Sequence, residues 1–198
     1  MTCEKGHVAL TYVTRRGDTY YLHAGKTKTG KPRYFVAKTV GVGALDTMPP
    51  GFELTESVNG VVSVRRIDPD APTVPDGDVE LVRAELGRHA HLRSHRAEVV
   101  DGEIVIFEPD RAHTLDEFAA MAGMSRRLLE ERLGGRLART RYTPIMKFVP
   151  GGLDDYNMRR MTYRGSGGWS WPLAQGSLEK LAKKHIRLIG TDEFFELL

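Results

Sequence analysis

The chain has 198 residues, of which 40% are hydrophobic and 28% charged, which allows one generous domain or two small ones and excludes a disordered polymer. One cysteine, Cys3, rules out an internal disulfide framework, and nothing in the sequence reads as a signal peptide or a membrane span, so a reducing, cytoplasmic setting without membrane contact is expected. The net charge of +3 is unevenly placed: residues 1–67 carry ten Lys/Arg against five Asp/Glu, residues 68–125 five against thirteen, and residues 126–164 ten against four, so two basic blocks flank an acidic one.

Val8, Leu10 and Tyr12 alternate with polar residues and predict a strand. Arg15-Arg16-Gly17-Asp18 then turns the chain, and Thr19-Tyr20-Tyr21-Leu22 continues as β. The next stretch, Gly25-Lys26-Thr27-Lys28-Thr29-Gly30-Lys31-Pro32, comes within one residue of a phosphate-binding P-loop, which needs Ser or Thr after its Gly-Lys and then a helix. Pro32 stands where that hydroxyl must be, and Arg33-Tyr34-Phe35-Val36 reads as a strand. The stretch is therefore a basic β-hairpin tip. Lys26, Lys28, Lys31 and Arg33, interleaved with Tyr34 and Phe35, suit phosphate contacts with a ring stacked on a base. The plainer alternative is a solvated hairpin end whose lysines discourage edge pairing.

Residues 43–48 are expected to form a short helix, stopped by Pro49-Pro50. Phe52 to Ser57 and Val61 to Ile67 form a hairpin through Asn59-Gly60, both of which tolerate the positive φ of a type I′ turn. These strands, about five, are expected in one small antiparallel sheet. Residues 68–77, with three prolines, cannot sustain a helix or a central strand, and read as a linker between a basic β-rich module (1–67) and a second module (78–198).

Val79, Val82, Leu86 and Ala90 predict a helix from about Val79 to His95, and Asp101-Gly102 closes a hairpin within Val99 to Phe107. Thr114 with Glu117 makes a capping box opening a helix, and Ser125 caps another that ends at Gly134-Gly135. Strands follow at residues 141–149 and 158–163, around Pro150-Gly151-Gly152. Ser177 then caps a helix to about Ile189, and Thr191 starts a short terminal helix after Gly190. Strands cluster instead of alternating with crossover helices, so the fold class is α+β.

Leu115 to Leu129 resembles a bacterial helix-turn-helix. Ala119 is small where two helices cross, Gly123 permits the tight turn, Met124 plugs the angle, and Ser125 caps a second helix with Arg126 and Arg127 at its N-terminus. The resemblance implies that Ser125, Arg126 and Arg127 meet bases and phosphates in a major groove. Arg132 departs from the pattern, standing where an apolar residue belongs, and the structural alternative is a helical hairpin.

Other motifs fail to close. His91 and His95, like Glu85 and His89, have the one-turn spacing of paired metal ligands, but no third ligand is indicated, so neither metal nor cofactor is expected. Gly168-Trp169-Ser170-Trp171-Pro172 begins like a nucleophile elbow, and Pro172 blocks the helix that must follow. Asp154 and Asp155 are neighbours in a turn and make no acid–base pair. Trp169 and Trp171 lie on one side of an extended stretch, suited either to binding a partner or to centring a small core.

Three functions follow in order. The first is a non-enzymatic nucleic-acid-associated protein. The second is a protein-interaction or accessory subunit using Trp169, Trp171 and the apolar Phe194-Phe195-Glu196-Leu197-Leu198 terminus. The third is an enzyme whose residues, such as His91, His95 and Asp110, are dispersed along the chain.

Overall fold

The computed structural model describes residues 9–70, 72–110, 125, 140–152, 154–162 and 168–197. The chain divides into two compact units, Met1–Pro69 and Asp70–Leu198. Antiparallel sheets with a few helices give the α+β class that the clustering of strands predicts.

In the first unit, β1 (Thr11–Val13), β2 (Thr19–Lys26) and β3 (Pro32–Ala37) form one antiparallel sheet in that order, and β4 (Phe52–Glu56) pairs only with β5 (Val62–Arg66). The expected single sheet is thus two sheets. At one edge of β2, past the end of β1, residues 43–45, expected to be helical, pair as an extended segment. Ala24 N–H donates to Gly43 O at 2.7 Å, Leu45 N–H donates to Leu22 O at 2.9 Å, and Ala44 bridges His23. Gly43 is required there, because it sits at φ +86° and a Cβ would fall 2.5 Å from the Ala24 carbonyl oxygen. The second sheet is joined to β1 and β3 through side chains. The Tyr34 ring meets Phe52 edge-on at 4.8 Å, and the Tyr12 hydroxyl donates to Glu56 at 3.1 Å. Burial, and then Glu56, push the Tyr12 phenol above its ordinary pKa.

Three turns of this unit share one construction. Thr14, Thr27 and Ser57 each accept the N–H of a glycine three residues on, donate their own N–H to the carbonyl of the next residue, and accept that residue's N–H at the side-chain hydroxyl. The glycines, Gly17, Gly30 and Gly60, sit at φ 80°, 80° and 75°. The pattern is Ser/Thr-x-x-Gly-x, a turn followed by a left-handed residue. Among the described non-glycine residues only Asp101 and Asp154 have positive φ, so Asn59 does not make the expected type I′ turn with Gly60.

The second unit holds a five-stranded antiparallel sheet in the order β10-β9-β8-β7-β6. Its strands are β6 (Arg96–Val100), β7 (Glu103–Pro109), β8 (Tyr142–Gly152), β9 (Asp155–Arg160) and β10 (Ala174–Ser177). The helices α1 (Asp76–Arg88), α2 (Leu178–His185) and α3 (Asp192–Glu196) supply the other half of the core. Ile104, Ile106, Met146, Phe148 and Met158 on the sheet join Val79, Val82, Leu86, Leu181, Ala182, Ile186 and Phe194 in one apolar cluster. Ile145 and Met146 both enter it, which strict alternation forbids; a register shift beside Ile106/Phe107, opposite Pro144, makes room for the extra residue. The Tyr156 hydroxyl donates to Asp78 at 2.6 Å and ties β9 to the first turn of α1; burial and that carboxylate push the phenol far up.

Several boundaries differ from expectation. The helix expected to reach His95 ends at Arg88, because His89 turns extended (φ −105°, ψ 115°) and a 3-10 turn, Ala90–Leu92, folds Leu92 back into the core. His91 and His95 therefore share no helical face. The hairpin at Asp101-Gly102 does form with both residues at positive φ, 51° and 74°. Strand β9 starts at Asp155, not Met158, since Asp154 (φ 60°) closes a tight turn after Gly152. Ser177 precedes α2 as expected, yet its side chain caps nothing, because β10 runs directly into the helix. Among the described residues no helix is long and apolar enough to cross a membrane.

His185 is expected to make stability depend on pH. The residue is 4% exposed, and neither ring nitrogen has a hydrogen-bond partner. Burial lowers its pKa first, with Lys184 and Arg187 adding to the shift. The unfolded chain then holds more protons, so stability is full above about pH 6.5 and falls as pH drops below it, levelling off under the folded-state pKa. Urea midpoints measured from pH 8 to 5 are expected to decline, and less steeply in His185→Leu. Equal slopes in the two proteins would refute this role.

Candidate nucleic-acid interface

The β2–β3 hairpin tip is built by the second of the three turns. Strand pairing sets Gly25 opposite Arg33 and Lys26 opposite Pro32, and the Thr27 turn closes the end with Thr27 N–H to Lys31 O at 2.8 Å and Lys31 N–H to the Thr27 hydroxyl at 3.1 Å. Pro32 costs no ladder bond of consequence, since it is the first residue of an edge strand. The backbone of the tip is thus fixed while Lys26, Lys28, Lys31 and Arg33 are all exposed. Among the described residues, ion pairs in this unit engage Arg15, Lys38 and Arg65, and none engages those four cations. The hairpin brings these four side chains to one tip.

The two aromatic residues of β3 separate as alternation requires. Tyr34 packs against Phe52. Phe35, on the opposite face, is 37% exposed; its ring stacks against His23 with centroids 5.4 Å apart and an interplanar angle of 17°, and the Arg33 guanidinium lies 5.9 Å from its centroid. A Cβ on Gly25 would come within 3.3 Å of the Phe35 ring, so glycine leaves space for it. The His23 Nε2 sits 3.1 Å from Thr39 O, which holds the imidazole in place under the phenylalanine. Arg33, Phe35 and His23 therefore form a row on one face. His23 was not among the residues the sequence singles out. The signal for it is the cross-strand register, which pairs His23 with Phe35 once Thr27 to Lys31 is taken as the turn.

Ser125 is exposed, while Arg126, Arg127 and the rest of the helix-turn-helix-like segment lie outside the described residues. Trp169 and Trp171 part company. Trp169 is half-buried, bridges Met161 and lies with its ring centre 4.7 Å from Lys147 Nζ, whereas Trp171 is 87% exposed and centres no core. Between them the Ser170 hydroxyl accepts from Arg160 N–H at 3.0 Å and donates to Trp171 O at 2.7 Å, so it serves the backbone. Glu85, buried on α1, is taken up by Arg88 at 2.6 Å and His89 at 3.3 Å. Among the described residues no group of three or more His, Cys, Asp or Glu is arranged to hold a metal ion. Compared with protein-family models, with curated proteins and with solved structures, the chain matches none.

Proposed function

We propose that this is a non-enzymatic nucleic-acid-associated protein that grips a polyanionic backbone with the β2–β3 tip. One observation carries the reading: four exposed cations without ion pairs among the described residues stand on a hydrogen-bonded turn beside a partly exposed phenylalanine. Phosphates meet Lys26, Lys28, Lys31 and Arg33, and a base stacks on Phe35, so the arrangement suits single strands and reads little sequence. The Arg33–Phe35–His23 row stiffens the platform before any ligand arrives.

Four phosphate contacts on a single strand give a slope of log affinity against log salt of about −3, hence roughly a 50-fold loss between 50 and 200 mM salt. Fluorescence anisotropy with a labelled oligo-dT and a labelled duplex measures this directly. Lys28→Gln is expected to reduce the slope by about 0.7. An affinity indifferent to salt would remove the proposal.

The exposure of Trp171 favours a second reading, a protein-interaction subunit whose contact is that ring. Trp171→Ala leaves the oligonucleotide titration unchanged if the tip is the nucleic-acid contact, which separates the two surfaces.

A further inference from the structure

The face of the five-stranded sheet turned away from the helices carries an unusual pair. Lys147 on β8 and Arg159 on β9 are directly opposed in the register. Both lie between residues committed to the core, Met146 and Phe148 on one strand and Met158 on the other, so alternation sends them to the outer face. Directly opposed residues on one face hold their Cβ atoms about 5 Å apart, and like charges at that spacing repel. Lys147 is only 9% exposed; its Nζ lies 2.7 Å from Glu103 and 4.7 Å from the centre of the Trp169 ring. Glu103 is the carboxylate that Lys147 meets. No ion pair among the described residues includes Arg159, whose Nε is buried without a hydrogen-bond partner.

We propose that Lys147 and Arg159 together bind an oxyanion of the phosphate class, with the Trp169 ring as an apolar wall. A phosphate supplies the negative charge the pair lacks. Its oxygens match the planar fork of a guanidinium and accept from an ammonium at the same time. Glu103 holds Lys147 in place and leaves Arg159 as the principal donor. This site is on the second unit and does not rest on the reading of the β2–β3 tip.

The test is a titration with sodium phosphate against sodium chloride at matched ionic strength, followed by calorimetry and by thermal unfolding. Four proteins are compared: wild type, Arg159→Gln, Arg159→Lys, and a variant with Lys26, Lys28, Lys31 and Arg33 all replaced by glutamine. Wild type and the tip variant are expected to show a saturable rise in Tm specific to phosphate. Arg159→Gln is expected to lose it, and Arg159→Lys, which keeps the charge but not the fork, to bind about tenfold more weakly. Should Arg159→Gln fail to fold, the affinity of Arg159→Lys decides. Adenosine monophosphate as a second probe distinguishes the source: tighter binding than inorganic phosphate assigns a phosphomonoester whose base stacks on Trp169, and equal binding assigns the free ion. No phosphate-specific rise in wild type, or wild-type affinity in both Arg159 variants, would overturn the site. The tip variant's own oligonucleotide titration fails or succeeds separately.

Discussion

Reversing the tip, with glutamate at Lys26, Lys28, Lys31 and Arg33 together, is expected to lower oligonucleotide affinity by about 1000-fold at 50 mM salt. Two unit charges about 4 Å apart in water interact by about 1 kcal/mol. Four attractions become four repulsions, which without screening exceeds four decades in affinity, and salt brings this down to about three. The fold should survive the change. All four side chains are exposed, none is in an ion pair among the described residues, and the turn is held by Thr27 and Gly30 instead. Circular dichroism and Tm are therefore expected to stay close to wild type while anisotropy flattens. Retained affinity in a well-folded quadruple variant would move the nucleic-acid contact elsewhere and end the case for this hairpin.

Phe148→Ala is expected to be the most damaging single substitution in the second unit, costing about 3–5 kcal/mol. Phe148 is fully buried at the centre of β8, opposite Ile104 on one side and Met158 on the other, in the cluster that joins sheet and helices. Truncation leaves a cavity between strands whose backbones are fixed by pairing, so collapse is limited. Against a total stability of about 5–15 kcal/mol, such a loss brings the unit close to unfolding. Both tryptophans of the chain, Trp169 and Trp171, belong to this unit, so tryptophan fluorescence in urea reports on it alone. A midpoint shift worth less than about 1 kcal/mol, below the range for such truncations, would mean that the core is not centred on this ring.

Local chemistry was legible where it acts within a few residues. Asp101-Gly102 announces its own turn, because both backbones accept positive φ and the strands on either side fit a two-residue loop. The tip was legible for the same reason: its cations and its glycine lie within nine residues, 25–33. Asn59-Gly60 misleads because the Ser57 hydroxyl offers a competing hydrogen bond that lengthens the loop. The end of α1 at Arg88 was hidden, since the pull on Leu92 comes from a core assembled from distant strands. Residues 43–45 look helical alone and become sheet only because β1 leaves part of β2 unpaired. Strand β10, Ala174-Gln175-Gly176-Ser177, has no apolar alternation and exists by its register with β9. The Lys147–Arg159 pair is of the same kind: it depends on which residue of one strand faces which residue of the next, and neither its charge nor its spacing along the chain reveals that.

The recurring Ser/Thr-x-x-Gly-x turn separates scaffold from cargo. The hydrogen bonds common to all three copies use the hydroxyl residue, the glycine and the one after it. The second position bears an Arg15 turned to Glu56 and Ser57, a solvent-facing Lys28 or an inward-facing Val58 on the same frame. Evolution or an engineer can therefore rewrite what such a loop displays without rewriting how it is made, and the side chains at the tip can drift far faster than the unit that presents them.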